Sequence, residues 1–530
     1  MRDSGGIVRW LAALVLAGTL VACGARTELL DRDFGPRPQW GDAGLLGPPI
    51  GAARTPTDRV DLLVVIDNSG SMAEIQRKLM RWFETLFDVL RERICGSSTD
   101  PSVEPHLCDP AALANGSDVE LGLPLRDLHV GVVSTDLGTP GFMVPGCDNT
   151  ELGDDGRLNP IHFGPALQTH LPWAPDRPNA VTAPEDFRPR ACEPNSAQFP
   201  SFIRYCSNVA DPSCDRAERN GSSRDSALFS EWFRCHSSLF INGCGLEAQL
   251  ESIWRALLSH DASDREGNTD PNAGFLRRDA VLGLLLFSDE EDGSVRHCAN
   301  DQGFSRQYGA RSICVDATDV YNTASPAWAH PTNPDLRFYL YQPGSRRDPT
   351  WNVDRYANAL SAVASPRWSR DLWSLKPGRP DRIVFAAIAG VPLEIPQRDG
   401  RTNWDALLGA PARSRDDFYR RDSRTAIEGE QGEAGSFSMR QANMSPECSH
   451  VVPACRAEGS RFDPRRPCSN QQYQAFPSRR IVEVARRFSE DLRCGDAPCE
   501  NGYVSSICAR SYERAMREIG HKIARRMAGR

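Results

Sequence analysis

Three small oxygen-bearing side chains alternate along a short stretch near the start of the chain. Asp67, Ser69 and Ser71 are separated by single residues, and Gly70 allows the backbone to turn sharply. Alternate side chains of an extended loop project to one side, so one carboxylate and two hydroxyls can converge. Hard oxygen donors with little charge suit Mg²⁺, or Mn²⁺ and Ca²⁺, rather than zinc or copper. Three donors leave the coordination shell incomplete, so other loops, water or a partner's carboxylate must supply the rest.

The segment before this stretch has the character of a buried strand. Residues 62–66 are all apolar and include β-branched Val and Ile, which is typical of a strand inside a parallel sheet. Such a strand needs helices on both faces, and the loop at its carboxyl end is where open α/β sheets bind ligands. The alternative is a plain strand-to-helix turn in which Ser69 or Ser71 caps the helix.

Asp67-x-Ser69-x-Ser71 after an apolar strand resembles the metal-ion-dependent adhesion site of the von Willebrand factor type A (VWA) domain. The resemblance implies a Rossmann-like α/β fold, with a mostly parallel sheet and helices on both faces. It also implies that these three residues are direct metal ligands. The apolar pattern agrees with an α/β fold, because it predicts further strands at 128–134, 280–287 and 382–389, and helices near 73–93, 247–259, 353–364, 481–492 and 508–527.

Two further candidate ligands lie where the VWA family places them. Asp289, at the end of the third predicted strand, matches the family's second carboxylate, which reaches the ion through water. Its acidic neighbours at 290–292 are weaker candidates, because acidic runs are usually solvated. The loop at 243–247 matches the position where the family supplies a threonine, but it reads Gly-Cys-Gly-Leu-Glu. Glu247 is the candidate ligand there; its alternative role is a favourable interaction with the helix dipole.

Two other oxygen-rich positions are less specific. Asp136 follows the second predicted strand and has two interpretations, an indirect contact to the metal or an ordinary turn residue. Residues 264–274 alternate acidic and amide side chains as a calcium loop does, but they lack the spaced glutamate of an EF-hand. We interpret this segment as a plain loop.

The first 22 residues have the features of a targeting segment. Arg2 and Arg9 flank an apolar run at 10–22 that is too short for a stable membrane span. Its end, Leu-Val-Ala-Cys23, resembles the bacterial lipobox, which implies cleavage before Cys23 and acylation of that residue. Ordinary signal cleavage, leaving a free thiol, is the alternative. Gly24 stands where an inner-membrane retention signal would favour Asp, so the sequence favours a lipid anchor in the outer membrane of the cell envelope. Residues 23–56, rich in Pro, Gly and Arg, are predicted to form a flexible tether.

Cysteine content points to an oxidising compartment. The chain has 17 cysteines, so 16 remain when Cys23 is set aside. This even number suits disulfide pairing in an exported protein. Close neighbours predict the pairs Cys95–Cys108, Cys448–Cys455 and Cys494–Cys499. We expect a single VWA-like domain over 57–530, with disulfide-rich insertions near 95–125, 138–240, 295–350 and 395–478.

Composition and motifs together favour a binding function. The net charge of −8 is spread along the chain, and no basic patch predicts nucleic-acid binding. No G-x-S-x-G, P-loop or H-E-x-x-H motif predicts an enzyme. The leading hypothesis is a membrane-anchored, Mg²⁺-dependent adhesion or scaffold module whose protein partner offers an acidic side chain. A structural envelope protein with a degenerate metal site is the first alternative, because the loop threonine is missing. A metal-assisted hydrolase is the second.

Overall fold

The apolar runs of the sequence form the centre of a seven-stranded sheet in the computed structural model. Neighbouring strands are parallel except Asp127–Ser134 and Phe202–Cys206, which are antiparallel. This confirms the prediction of an α/β fold with a mostly parallel sheet. In spatial order the strands are β7 (Gly502–Ser506), β6 (Ile383–Ala389), β5 (Val281–Phe287), β1 (Arg59–Ile66), β2 (Asp127–Ser134), β3 (Phe202–Cys206) and β4 (Ser222–Ser223).

The structure describes most of the sheet and its helices, and parts of the connecting segments. Residues 1–54, which include Cys23, lie outside the described residues, as do Ser71 and the two cysteines of the predicted pair, Cys448 and Cys455. The described residues are 55–69, 72–100, 103, 106–121, 124–138, 153–158, 200–207, 222–239, 243–244, 246–295, 350–358, 371–408, 451–454, 456–457, 461–462, 469–472, 475, 478–494 and 497–529.

Helices cover both faces of the sheet. On one face, α1 (Ala73–Arg91), α2 (Ser226–Ser237) and α5 (Glu513–Met527) share an apolar cluster with the strands. On the other face, α3 (Gln249–Trp254), which continues as a π-helical segment Arg255–Ser259, and α4 (Arg479–Glu490) form a second cluster. Alternate residues of β1 enter opposite clusters, because Cβ atoms of a strand point to alternate faces. This is the burial pattern expected for the strand that carries Asp67 at its end.

Several elements differ from the sequence predictions. Strand β3 and helix α2 lie within 138–240, where no element was predicted, and β7 was also missed. The helix predicted over 508–527 begins only at Glu513, because β7 and a turn occupy the residues before it. The helix predicted over 353–364 is represented in the described residues by a single 3₁₀ turn, Val353–Arg355.

Two of the predicted disulfides are present. Cys95 is bonded to Cys108 and Cys494 to Cys499.

Among the described residues, no helix is both long and apolar enough to cross a membrane. The remaining elements are the strands Ile94–Ser97, His106–Leu107 and Asp118–Glu120, the helices Pro110–Ala114 and Trp404–Leu408, the 3₁₀ turns Leu372–Leu375 and Pro380–Arg382, and the paired strands Gln397–Arg398 with Arg401–Thr402, Val451–Ala454 with Ser469–Gln472, Arg456–Ala457 with Arg461–Phe462, and Arg493–Cys494 with Ala497–Pro498.

A buried network of charges lies at the amino ends of β1 and β2. The Asp61 carboxylate accepts hydrogen bonds from the Arg277 backbone N–H at 2.7 Å and from its guanidinium at 2.8 Å. Lys376 Nζ lies 3.5 Å from the same carboxylate, and Arg277 also contacts Asp127 at 2.8 Å. Nδ1 of His129 lies 2.9 Å from the carbonyl oxygen of Phe275. These contacts fasten the segment before β5 to the centre of the sheet.

Candidate metal site

The carboxyl ends of three adjacent strands place polar residues side by side. Ile66 on β1 is paired with Ser134 on β2 and with Phe287 on β5. The next residue of each strand therefore puts Asp67 between Thr135 and Ser288. Strand β1 is also the point at which the sheet order reverses, since the chain builds β2 to β4 on one side before it returns to form β5 on the other. Open α/β sheets bind ligands at such a point.

Asp67 is held in one orientation by neutral donors. Its carboxylate is fully buried; it accepts a hydrogen bond from the Ser69 backbone N–H at 2.8 Å and from the Ser288 hydroxyl at 2.7 Å. Burial raises the pKa of the Asp67 carboxyl, and the hydrogen bonds from Ser69 and Ser288 act in the opposite direction. The carboxylate is thus preorganised, with no cationic side chain among these partners.

The acidic run after β5 divides into two kinds of residue. Glu291 accepts the backbone N–H groups of Arg479 at 2.9 Å and of Arg480 at 3.0 Å, so it caps the start of α4. Asp292 accepts the backbone N–H of Leu250 in α3 at 2.9 Å, as well as Nε of Arg480 at 2.9 Å. Burial raises the pKa of the Glu291 carboxyl to about 7, although the hydrogen bond from the Arg480 N–H acts in the opposite direction. Both side chains satisfy helix N-termini, which makes them structural residues.

Asp289 lies beside Ser288 at the same edge, and it is buried, with 2% of its surface exposed. Unlike Glu291 and Asp292, it caps no helix through the hydrogen bonds described above, so it stays a candidate ligand. Ser69 is buried as well.

The loop at 243–247 lies directly against the Asp67 turn. The Gly243 N–H donates to the carbonyl oxygen of Asn68 at 2.9 Å, and a Cβ atom at Gly243 would lie 2.2 Å from Asn68 Oδ1. The Cys244 N–H donates to the Asp136 carboxylate at 3.2 Å, and the other oxygen of that carboxylate accepts the Gly138 N–H at 2.7 Å. Asp136 thus positions two loops, in agreement with its interpretation as a turn residue. Cys244 is disulfide-bonded, so its sulfur is no thiolate ligand.

Glu247 reaches the same edge from the end of this loop. Its carbonyl oxygen accepts the Gly293 N–H at 2.8 Å, and the next residue, Ala248, donates its N–H to the Thr135 carbonyl oxygen at 2.9 Å. Only 1% of Glu247 is exposed. The structure therefore brings Asp67, Ser69, Asp289 and Glu247 to one edge, although these residues come from three distant segments.

Two buried oxygens at this edge bear on whether a cation fits. Thr135 Oγ1 and Asn68 Oδ1 have no hydrogen-bond partner in the part of the chain that the structure describes. Buried polar atoms normally have one, and a bound ion is one explanation for an exception. Within the same described residues, no three Asp, Glu, His or Cys side chains cluster closely enough to hold a metal by themselves. Carboxylates mixed with hydroxyls are nonetheless a donor set that suits Mg²⁺, so the residues fit the expected ion.

The second oxygen-rich segment has a structural explanation. The Asn272 amide donates to the carbonyl oxygens of Gly156 and Ala256, both at 2.9 Å, and accepts the Leu158 N–H at 2.9 Å. This side chain fastens the loop to its neighbours, as our interpretation of a plain loop requires.

Comparisons of the chain with known protein families, with curated proteins and with solved structures found no match. Function must therefore be inferred from the carboxyl edge of the sheet itself.

Proposed function

We propose that this chain is a VWA-like, membrane-anchored module of the cell envelope that binds a divalent cation and, through it, a protein with an acidic side chain. Asp67, Ser69 and Ser71 are the proposed direct ligands of Mg²⁺, Mn²⁺ or Ca²⁺. Asp289 contributes through water, and Glu247 is a further ligand from the neighbouring loop. The mostly parallel sheet with helices on both faces is the fold that the resemblance implies, which supports the proposal.

One observation carries the proposal: Asp67 is a buried carboxylate at the end of the central strand whose hydrogen-bond donors, within the described residues, are all neutral. An ionised carboxylate removed from water needs a compensating charge. Its two oxygens have four lone pairs in all and accept hydrogen bonds from the Ser69 N–H, the Ser69 hydroxyl and the Ser288 hydroxyl. A lone pair remains available for a cation, which would supply the missing positive charge.

Burial of the edge has a consequence for partner binding. Asp67, Asp289 and Glu247 are each at most 2% exposed, so a partner's carboxylate reaches the ion only if a segment that covers this edge moves. The described part of the loop at 243–247 is held by backbone hydrogen bonds from Gly243 to Asn68 and from Gly293 to Glu247, which such a movement of this loop would break. The same burial favours a second candidate function, a structural envelope protein in which Glu247 completes an internal site.

Calorimetric titration of Mg²⁺, Mn²⁺ and Ca²⁺ into the full chain in detergent tests the proposal. Wild-type protein should show saturable binding at one site. Asp67→Asn should abolish it, because the amide keeps the shape of Asp67 and one acceptor oxygen but lacks its charge. Asp264→Asn removes a charge from the other oxygen-rich loop and should leave the titration unchanged.

Absence of binding at millimolar ion by folded wild-type protein would overturn the proposal. Equal binding by wild-type protein and Asp67→Asn would place the ion elsewhere. Binding of the ion without any metal-dependent capture of a protein that carries an accessible acidic side chain would favour the structural alternative. Hydrolytic turnover that disappears in Asp67→Asn would instead favour the hydrolase.

A further inference from the structure

Thr135 has a buried hydroxyl that lacks a hydrogen-bond partner among the residues that the structure describes. The residue directly follows β2, none of its surface is exposed, and Oγ1 contacts no donor or acceptor within the described residues. Its carbonyl oxygen is already used, since it accepts the Ala248 N–H at 2.9 Å. A valine would fill the same volume without a polar atom. A buried hydroxyl without a partner calls for an explanation, and a bound ion is one.

Strand register brings Thr135 beside Asp67. Residues 66, 134 and 287 are paired across β1, β2 and β5, so positions 67, 135 and 288 come next on the three strands. Paired positions of parallel strands direct their side chains to the same face. Val65, Val133 and Leu286, two residues earlier, do share one apolar cluster. The Ser288 hydroxyl confirms this direction on one side of Asp67 through its 2.7 Å hydrogen bond. Thr135 occupies the corresponding place on the other side.

Asn68 Oδ1, the second buried oxygen at this edge without a partner among the described residues, lies in a different environment. Asn68 Oδ1 faces the loop, because a Cβ atom at Gly243 would lie 2.2 Å from it. Thr135 is therefore the better placed of the two to serve an ion held by Asp67.

We propose that Thr135 is a ligand of the cation at Asp67 and supplies the neutral hydroxyl that the loop at 243–247 lacks. This inference rests on the proposed function. It assigns the ligand to the end of a neighbouring strand, so the site is complete without a threonine in the loop. A hydroxyl adds an oxygen donor without adding charge, which leaves the ion electrophilic toward an acidic ligand.

Two variants of the full chain in detergent test the assignment, with Mg²⁺ alone as the probe. Thr135→Val should weaken Mg²⁺ binding by about tenfold or more in calorimetric titration, the range found when groups supporting a metal are removed. Thr135→Ser keeps a hydroxyl and should stay close to wild type. In EDTA, Thr135→Val should unfold at a temperature equal to or above that of wild type, because the hydroxyl it removes has no partner in the described part of the protein.

Three outcomes would overturn the assignment. Equal Mg²⁺ affinity in wild type and Thr135→Val would exclude Thr135 as a ligand while leaving the proposed function intact. A Thr135→Val protein that is unfolded or clearly less stable in EDTA would show that the hydroxyl serves the fold. Lack of Mg²⁺ binding by wild-type protein would remove the assignment together with the proposed function.

Discussion

His129 is held neutral within the charge network at the amino edge of the sheet. Burial lowers its pKa to about 4, and the nearby Arg277 guanidinium acts in the same direction, whereas Asp61 and Asp127 oppose it. A neutral ring must carry its proton on Nδ1 to donate to the Phe275 carbonyl oxygen, which lies 2.9 Å away. The fold therefore excludes the protonated ring that an unfolded chain would have below about pH 6.5.

This exclusion predicts a pH-dependent loss of stability. Between about pH 6.5 and 4 the unfolded chain binds a proton at His129 that the folded chain does not, so the free energy of unfolding decreases as pH falls. The full shift corresponds to about 3 kcal/mol. In His129→Gln this contribution should be absent, which urea unfolding at a series of pH values would show. Above pH 7 the difference in stability between the two proteins should be constant. Parallel stability curves down to pH 4 would contradict this account.

At the level of elements, the sequence predicts the centre of the sheet well and its edges poorly. The four predicted strands are β1, β2, β5 and β6, which are mainly apolar because helices cover both their faces. Strand β3 has no such signal. Its Arg204 is interior to the strand and forms two hydrogen bonds with Asp127, at 2.9 and 2.7 Å. Hydrophobic pattern alone cannot reveal a strand whose polar side chain is satisfied by a residue 77 positions away.

Local sequence predicts only those features of the candidate site that depend on neighbouring residues in the chain. The local motif predicts that Asp67 and Ser69 lie at a strand end, and the apolar run before Asp289 places that residue at the same edge. Local sequence cannot show that Glu291 and Asp292 cap helices, because those helices begin at distant positions. Nor can it distinguish Thr135 from Asp136, since the register between β1 and β2 decides which of them lies beside Asp67.

Strand β7 packs so closely on α4 that only glycine fits at its start. A Cβ atom at Gly502 would lie 1.8 Å from the carbonyl oxygen of Ala485, and Ser489 Oγ bridges to the Gly502 backbone at 3.1 Å. Gly502→Ala must push the strand and the helix apart. We expect it to lower the free energy of unfolding by at least about 2 kcal/mol, the cost typical of overpacking. Guanidinium unfolding measures this, and an unchanged midpoint would contradict the close contact.

At the level of the whole molecule, the lipobox-like sequence predicts how the protein is held. Cys23 lies outside the described residues, and its acylation is a prediction from the sequence. Several acyl chains, at about 0.8 kcal/mol per buried methylene, would retain the protein on membranes stably. Cys23→Ala should therefore move the protein from the membrane pellet to the soluble fraction after ultracentrifugation. Cys494→Ser, which removes a cysteine of a short disulfide, should leave it in the pellet. A Cys23→Ala protein that stays with the membranes would exclude the lipid anchor.

Strand β1 has a buried carboxylate near each end, and the two are neutralised in different ways. Asp61 has Arg277 and Lys376 within 3.5 Å, both supplied by the chain itself. Asp67, six residues later, accepts hydrogen bonds from N–H and O–H groups alone among the described residues. The central strand is therefore electrically asymmetric, with cationic partners at one end and neutral donors at the other. The cation that we propose at Asp67 would give the second end the kind of counter-charge that Arg277 and Lys376 give the first.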